Sequence, residues 1–236
     1  MATDLTRRQL GLACAITAAA GFVDGIGFLH LGGYFVSFMS GNSTRAAADL
    51  ASGDLLGWGK AIGLVAAFVF GVVLASLVTS KPHPSVAATT TPQRSPRHSP
   101  LGPQLHAIWL SVGILVLASA CATASLMGVQ PAEYAVAPLI AASMGAVNST
   151  FTRGGEVSVG LTYMTGALVK AAQLFAARLK GAPQTGWLRY AALWVAIAAG
   201  SAAGAVSYLA AGLVVLWAAP AMLALCAGLV WRRRRL

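Results

Sequence analysis

The sequence predicts an all-α, polytopic membrane protein with about six full transmembrane helices plus two re-entrant or broken segments, arranged as a 3+3 inverted repeat. Three observations predict this fold class. The chain is 57% hydrophobic and only 9% charged, with a mean hydropathy of +0.73, whereas soluble domains carry roughly 25% charged residues. It contains several runs of about 20 apolar residues, the length of a spanning helix. One stretch with an intramembrane polar residue also occurs twice.

Six apolar runs are long enough to cross a hydrocarbon core of about 30 Å, which takes about 20 helical residues. We predict them at 9–31, 58–80, 105–128, 131–152, 187–210 and 212–231. Tryptophans stand near the ends of several runs, as aromatic anchors at a membrane interface do. Two further segments, 34–52 and 157–179, are moderately apolar and carry glycine and a basic residue near the middle. The pattern favours re-entrant or broken segments, and full spanning is the alternative.

The basic residues indicate the orientation of the chain. If both uncertain segments enter and leave on one side, all Lys and Arg residues except Arg45, Lys60 and Lys170 lie on the side of the two termini. Loops rich in Lys and Arg stay cytoplasmic, so we predict a multi-pass protein of the bacterial inner (plasma) membrane with both termini cytoplasmic. The same rule accounts for the net charge of +10. We therefore expect the lipid bilayer as a partner, and no nucleic acid.

The chain is predicted to form a single membrane domain, 1–236, with repeat 1 over about 9–128 and repeat 2 over about 131–231. Residues 81–104 are rich in Pro, Ser and Thr, which is typical of a flexible linker, here cytoplasmic. The three cysteines match no metal-binding spacing, and the sequence contains no hydrolase, P-loop or dinucleotide motif. We therefore expect no metal, no cofactor and no enzymatic activity.

The stretch that occurs twice lies at 21–45 and again at 145–170. The first copy places Asp24 in an apolar run, followed by a Gly-Gly pair and the segment M-S-G-N-S-T-R. The second copy has Asn148 in place of Asp24, another Gly-Gly pair and the segment M-T-G-A-L-V-K. Each repeat would contribute three full crossings, an odd number, so the second must be inverted in the membrane. Inverted repeats are a recurrent plan of transporters, whose site lies near the midplane where the repeats meet.

Asp24 is the strongest single candidate for function, because it lies past the middle of the first predicted span. A charge at the centre of the bilayer costs about 2.5–3.5 kcal/mol on insertion scales, so it usually faces a pathway or a partner. The functional interpretation is a cation or proton site that is coupled to a conformational change. The structural alternative is a hydrogen bond to a neighbouring helix, to Asn42 or Ser43. Asn148 would occupy the symmetric position, as a neutral pathway residue or as a polar contact between helices.

Small residues, most of them polar, follow each Gly-Gly pair and form a second candidate group. Its members are Ser40, Gly41, Asn42, Ser43, Thr44, Thr162, Thr165 and Gly166. If Gly41 and Gly166 begin short half-helices, their free N–H groups and the helix dipoles would favour anions. Arg45 and Lys170 would add positive charge, which suits a small anionic or zwitterionic solute. The alternative is close packing of these small residues, the interpretation we also give to the pairs Gly59/Gly63 and Gly200/Gly204.

Several motifs resemble a known family. They are A-G-F-V-D at 20–24, F-V-x-x-M-S-G-N at 35–42, M-G-x-x-N at 144–148 and T-x-x-T-G at 162–166. This pattern resembles the YoaK-like family of bacterial inner-membrane proteins, which is named for a domain of unknown function. The resemblance covers nearly the whole chain except 81–104. It implies a multi-spanning membrane protein related to transport, and it implies no particular substrate.

Two functional hypotheses follow from these patterns. The first is a small-solute transporter or permease with a midplane site between the repeats, proton- or ion-coupled through Asp24; a selective channel is its close relative. The second is a membrane scaffold or regulatory protein that docks partners through the linker 81–104 and the basic C-terminal tail. The substrate, the direction, the energy source and the formation of a homo-oligomer are left open by the sequence.

Overall fold

The computed structural model describes residues 6–79, 105–150, 152–153, 156–157, 162, 164–182 and 186–234. The predicted linker 81–104 and the second Gly-Gly pair, 154–155, lie outside these described residues.

The described residues form eight α-helices, which confirms the predicted all-α class. The helices are α1 (Arg7–His30), α2 (Met39–Ala51), α3 (Leu55–Thr79), α4 (Leu105–Leu126), α5 (Gln130–Asn148), α6 (Met164–Leu179), α7 (Trp187–Ala211) and α8 (Ala218–Arg234). A 3-10 helix, Gly212–Trp217, leads from α7 into α8. Two strands of two residues each, β1 (Thr152–Arg153) and β2 (Glu156–Val157), pair antiparallel between α5 and α6.

Among the described residues, four stretches are long and apolar enough to cross a membrane. They are α1, α3, α4 and the 46 residues of Trp187–Arg232, which include α7 and most of α8. Each coincides with one or two of the predicted spans. α5 covers most of the predicted span 131–152 but is not among the four, because polar residues such as Glu133 and Asn148 lower its hydropathy.

α2 and α6 lie in the two segments that the sequence predicts to be re-entrant or broken. They have 13 and 16 residues, so at about 1.5 Å per residue they are about 20 and 24 Å long, shorter than a hydrocarbon core of about 30 Å. They begin at Met39 and Met164, two residues before Gly41 and Gly166, where we expected the half-helices to start. In the described residues of these two segments, neither helix reaches full spanning length.

The break after α1 depends on the first Gly-Gly pair. Gly32 and Gly33 have φ values of 69° and 94°, which are left-handed conformations that glycine adopts without strain. The chain then runs without helix through residues 31–38, here called the 31–38 loop, before α2 begins. The loop returns along α1, since the side chain of Val36 packs against Gly27. Non-helical backbone at membrane depth is tolerated only where it is buried in protein or lines a wet cavity.

α1 and α7 pack closely through glycines. A Cβ added at Gly21 would collide with the carbonyl oxygen of Ile197, and one added at Gly25 would collide with that of Ser201. Because residue numbers rise together along both helices, α1 and α7 run parallel. Gly200 on α7 packs against the α1 backbone in the same way. Small residues at such contacts let two membrane helices approach at backbone distance.

α3 and α5 pack in the same manner as α1 and α7. A Cβ added at Gly145 would collide with the carbonyl oxygen of Phe68, and one added at Gly71 would collide with that of Ala142. In both helix pairs, each helix presents a carbonyl oxygen three residues before its own contact glycine. The four carbonyl and glycine combinations are Ala18 with Gly21, Ile197 with Gly200, Ala142 with Gly145, and Phe68 with Gly71.

The prediction of close packing is confirmed for one small-residue pair and wrong for the other. Gly200 and Gly204 both press against the backbone of α1. At Gly59 and Gly63, however, an added Cβ would meet no described atom within 4 Å. The spacing of the two pairs is identical, so the difference between them comes from the position of the neighbouring helix and not from the sequence pattern.

The helices define two ends of the bundle. α1 and α4 end, and α3 and α5 begin, at the same end, which we call the His30 end. A turn at 127–129 joins α4 to α5, so these two helices run antiparallel, and the hydroxyls of Ser111 and Ser143 meet between them at 2.6 Å. α1 and α4 begin at the opposite end, where α3 ends.

Candidate functional site

Asp24 lies six residues before the end of α1 and binds the 31–38 loop. Its Oδ1 accepts hydrogen bonds from the backbone N–H groups of Val36 and Ser37, both at 3.0 Å. Its Oδ2 accepts a hydrogen bond from the Ser37 hydroxyl at 2.5 Å. Three donors therefore converge on one carboxylate, which we call the Asp24 cluster. An ionised carboxylate is an acceptor only, so this arrangement suits the charged form.

These partners correct the structural alternative that the sequence suggested for Asp24. We expected a hydrogen bond to Asn42 or Ser43 on the following helix, and the partners instead lie in the loop before that helix. The reason is geometric: the chain reverses direction at its left-handed glycines and lays residues 36–37 beside the carboxylate. The carboxylate satisfies backbone N–H groups that have no helical acceptor.

Asn148 is the last residue of α5 and makes an equivalent set of contacts with Thr162, which we call the Asn148 cluster. The Thr162 hydroxyl lies 3.0 Å from Asn148 Nδ2 and 3.2 Å from Oδ1, and the Thr162 backbone N–H donates to Oδ1 at 3.4 Å. Nδ2 also donates to the carbonyl oxygen of Met144 at 2.8 Å. The amide thus binds Thr162, two residues before the start of α6.

Ser37 and Thr162 hold equivalent places in the chain. Each stands two residues before the methionine that starts a short helix, in S-F-M and T-Y-M. Each brings a backbone N–H and a hydroxyl to the polar side chain of the preceding long helix. We did not single out Ser37 from the sequence, although extending the repeat register by two residues before Met39 would have found it.

Asn42 and Gly41 stabilise the 31–38 loop from the side of α2. Asn42 is fully buried; its Nδ2 donates to the Phe35 carbonyl oxygen at 2.6 Å, and its Oδ1 accepts from the Phe35 backbone N–H at 2.9 Å. A Cβ at Gly41 would be closer than 3.0 Å to the rings of Phe38 and Phe35. Both residues therefore serve the packing of this loop, which is the alternative that the sequence left open.

The remaining predicted residues lie outside both clusters. Ser43 and Thr44 are exposed, and their hydroxyls donate to backbone carbonyls one turn earlier in α2, at 2.9 and 3.1 Å. Four more have no hydrogen bond to either cluster among the described residues. These are Ser40 and Thr165, which are exposed, and Gly166 and Lys170, which are half-buried. No hydrogen bond between described residues joins the two clusters, so one two-sided midplane site stays a prediction.

The sequence predicts that Arg45 offers its charge to an anionic solute. In the structure it forms an ion pair with a neighbouring acid instead. Its Nε donates to Asp49 Oδ1 at 3.2 Å, and its guanidinium carbon lies 4.8 Å from the centre of the Tyr34 ring. The Tyr34 hydroxyl donates to Asp49 Oδ2 at 2.8 Å. Asp49 is buried, so the arginine offsets a charge that would otherwise be costly there. The spacing of Arg45 and Asp49, four residues apart on one helix, is the sequence signal for this pair.

Among the described residues, no three His, Cys, Asp or Glu side chains are grouped as metal ligands. His30 Nδ1 lies 3.1 Å from the hydroxyl of Tyr208, which connects the end of α1 to α7. The polar features of the site are therefore the Asp24 cluster, the Asn148 cluster and the contacts at the His30 end.

Comparisons with known proteins give sequence matches. A family described as "Protein of unknown function (DUF1275)" matches residues 12–229. A UPF0700 transmembrane protein of Rhizobium meliloti (strain 1021) is 33% identical over 208 residues, which cover 88% of this chain and 80% of the relative. No solved structure gives a significant match. The resemblance to an uncharacterised bacterial membrane family, inferred from the motifs, is confirmed.

Proposed function

The chain belongs to the DUF1275 family of proteins of unknown function, and we propose that it is a small-solute transporter or permease of the bacterial inner membrane. The family description names no activity, so the proposal depends on the geometry of this chain. One observation carries it: two short helices, each preceded by a non-helical residue, Ser37 or Thr162, that a polar side chain of the preceding long helix binds. Such breaks at membrane depth line pathways in transporters.

We propose that α1–α4 and α5–α8 are the two inverted repeats. Exchanging the halves converts three helix contacts of the bundle into three others: α1 on α7 becomes α5 on α3, α2 on α3 becomes α6 on α7, and α4 on α5 becomes α8 on α1. The matching glycine contacts of the α1–α7 pair and the α3–α5 pair support the same exchange. α1 ends at the His30 end, where α5 begins, so the two halves run in opposite directions as inverted repeats do.

In this topology the six crossings are α1, α3, α4, α5, α7 and α8, and both termini are cytoplasmic. The excess of Lys and Arg near the termini supports this orientation. α2 follows the end of α1 and would enter from the His30 end, on the periplasmic side, while α6 would enter from the cytoplasmic side. The Asp24 and Asn148 clusters would then border a central pathway from opposite sides.

Asp24 gives this arrangement an ionisable switch. As a carboxylate it accepts from three donors, whereas a protonated carboxyl loses part of that acceptor capacity and must place a proton among them. Protonation, or the arrival of a cation, would therefore weaken the hold on the 31–38 loop and free α2 to move. Asn148 cannot titrate, so only one of the two breaks would respond. The proposal includes no catalytic activity.

A flux experiment tests the proposal. Proteoliposomes that contain a pH-sensitive dye receive an imposed pH gradient and a defined mixture of amino acids and carboxylic acids. We expect solute-dependent proton entry with the wild type, and solute exchange without proton coupling with Asp24→Asn. The Asn148 cluster is the reason to expect that an amide at this position still holds the loop. Saturation and counterflow would separate a transporter from a channel.

Two outcomes would contradict the proposal. If correctly inserted wild-type protein moves no solute of the mixture, the proposed transport function is refuted. If Asp24→Asn keeps proton coupling, Asp24 is not the switch. The scaffold alternative makes the opposite prediction, because it places function in residues 81–104, outside the described structure. Deletion of 81–104 would then remove function in cells, and Asp24→Asn would not.

A further inference from the structure

A cavity of about 560 Å³ opens at the His30 end between the end of α1 and the first halves of α3 and α5. Sites for small molecules typically have volumes of about 300–1,000 Å³. The basic side chain of Lys60, the acidic side chain of Glu133 and the imidazole of His30 line this cavity together with apolar residues such as Leu64 and Pro138. It therefore combines apolar walls with a few polar groups, as ligand sites do.

Two glycines keep the cavity open. Gly59 and Gly63 line it, and a Cβ at either would meet no described atom within 4 Å. Two turns further along α3, Gly71 is pressed against the backbone of α5. α3 and α5 thus touch at Gly71 and diverge toward the His30 end, and the missing side chains at 59 and 63 add to the space between them.

The cavity contains two opposite charges that do not neutralise each other directly. Among the described residues Lys60 has no carboxylate within 4.0 Å, and neither does Glu133 have a cation at that distance. The Lys60 ammonium donates to the Leu31 carbonyl oxygen at 2.6 Å and lies 4.6 Å from the centre of the Tyr34 ring. These contacts hold the cation in place and leave it without an anionic partner. Glu133 faces the same space from α5.

We propose that this cavity binds a small zwitterion with an apolar body, whose carboxylate lies at Lys60 and whose ammonium lies at Glu133. Its role as the entry site of a transport pathway rests on the proposed function, whereas binding itself does not require transport. A simple anion would be repelled by Glu133 and a simple cation by Lys60, so the pair of charges selects for a ligand that carries both. The apolar walls favour an aliphatic or aromatic body between them.

The Lys60 side of the cavity is also connected to the loop that Asp24 anchors. Lys60 contacts Leu31 and Tyr34, and both residues belong to the 31–38 loop. A ligand carboxylate that binds the Lys60 ammonium would therefore compete with the contacts between Lys60 and this loop. Occupancy of the cavity and the state of the Asp24 cluster would be linked through a few residues in contact.

Binding to the purified full-length protein in detergent tests the proposal by titration calorimetry. The probes are L-leucine, 4-methylpentanoate, which lacks the amino group, and 3-methylbutylamine, which lacks the carboxylate, with glycine, L-phenylalanine and glycine betaine as further zwitterions. We expect at least one zwitterion to bind saturably. For L-leucine we expect an affinity at least about tenfold above that of either single-charge analogue. No saturable binding by any zwitterion, or equal binding of leucine and 4-methylpentanoate, would overturn the proposal.

Variants of Glu133 and Lys60 test which charged group of the ligand each residue binds. Glu133→Gln should abolish the preference for leucine over 4-methylpentanoate, and Lys60→Gln should weaken both ligands. Arg178→Gln, which removes an exposed cation at the end of α6, is the matched control and should change neither affinity. An unchanged leucine preference in Glu133→Gln would refute the role of Glu133, even though the variant folds. Because no flux is measured, a failed transport assay and a failed binding assay remain distinguishable.

Discussion

The hydroxyl and the backbone N–H of Ser37 both donate to the carboxylate of Asp24, at 2.5 and 3.0 Å. The two residues lie thirteen positions apart in the chain and on either side of the left-handed Gly32-Gly33 turn. Their contact fixes the geometry of the 31–38 loop, which follows the end of the first long helix. Thr162 and Asn148 repeat the contact before α6, with an amide in place of the carboxylate.

Removing the Asp24 acceptor should destabilise the protein. Asp24→Ala leaves the N–H groups of Val36 and Ser37 and the Ser37 hydroxyl without this acceptor, and a buried unsatisfied donor costs about 1–3 kcal/mol. Asp24→Asn keeps one acceptor oxygen and should cost less. Thermal unfolding in detergent, followed by tryptophan fluorescence, should give the order wild type, Asn, Ala in falling Tm. Equal Tm values for the alanine and asparagine variants would contradict this order.

The Ser37 hydroxyl should be replaceable by threonine and not by alanine. Ser37→Ala removes a hydrogen bond to the Asp24 carboxyl group, worth about 0.5–1.5 kcal/mol to a neutral acceptor and about 1.5–3 kcal/mol to a charged one, whereas Ser37→Thr retains the hydroxyl that Thr162 uses in the equivalent place. Hydrogen exchange of the peptide that covers the 31–38 loop should be faster in Ser37→Ala only. If Ser37→Thr is as fast as Ser37→Ala, steric fit and not the hydroxyl controls the loop.

The α1–α7 contact should tolerate no side chain at Gly21. A Cβ there collides with the carbonyl oxygen of Ile197, and forced overpacking costs about 1–3 kcal/mol. Gly11→Ala, on the same helix, is the control, because a Cβ at Gly11 meets no described atom within 4 Å. Alanine is a better helix former than glycine by about 1 kcal/mol. Thermal unfolding should therefore show opposite signs: a lower Tm for Gly21→Ala and an unchanged or higher Tm for Gly11→Ala.

Tyr34 should make the folded protein sensitive to alkaline pH. Burial, followed by the hydrogen bond to Asp49, raises the pKa of Tyr34 above its ordinary value. The neutral phenol is thus favoured in the folded state, so its contribution is fully present below the unfolded pKa of about 10 and is lost as pH rises through the higher folded pKa. Tyr34→Phe should lower Tm at neutral pH, because the Asp49 bond is lost, and should flatten the decline above about pH 10. Tyr134→Phe, which removes the hydroxyl of an exposed tyrosine, should decline like the wild type.

The proposed orientation can be tested with single cysteines in a chain whose native Cys14, Cys121 and Cys226 are replaced by alanine. Met127→Cys lies in the exposed turn between α4 and α5 at the His30 end, and Ser95→Cys lies in 81–104. A membrane-impermeant thiol reagent should label Met127→Cys in cells whose outer membrane alone is permeable, and Ser95→Cys only after the inner membrane is opened. Labelling of Ser95→Cys from outside would reverse the topology. Labelling of both from the same side would exclude a crossing by α4.

The sequence located the helices with small errors because apolar length and glycine breaks are local properties of the chain. The predicted runs 9–31 and 58–80 became α1 (Arg7–His30) and α3 (Leu55–Thr79). The largest difference is in the last run, predicted from residue 212, where a 3-10 helix precedes α8. Asp24 and Asn148 are counterparts by register alone, and in the structure each binds the residue that stands two positions before a short helix begins.

The tertiary structure alone decided the partners of these residues. Asp24 binds the loop and not Asn42 or Ser43, and Arg45 binds Asp49, because the direction of the chain after Gly33 decides which side chains meet. Gly59 and Gly200 stand in the same four-residue spacing with a second glycine, yet one lines a cavity and the other touches a backbone. Composition and spacing thus determined a helical membrane protein with two polar breaks. Contacts between residues far apart in the chain determined which loop residues Asp24 and Asn148 bind, which described charges form an ion pair and where the described helices leave a cavity, since these depend on how neighbouring helices pack.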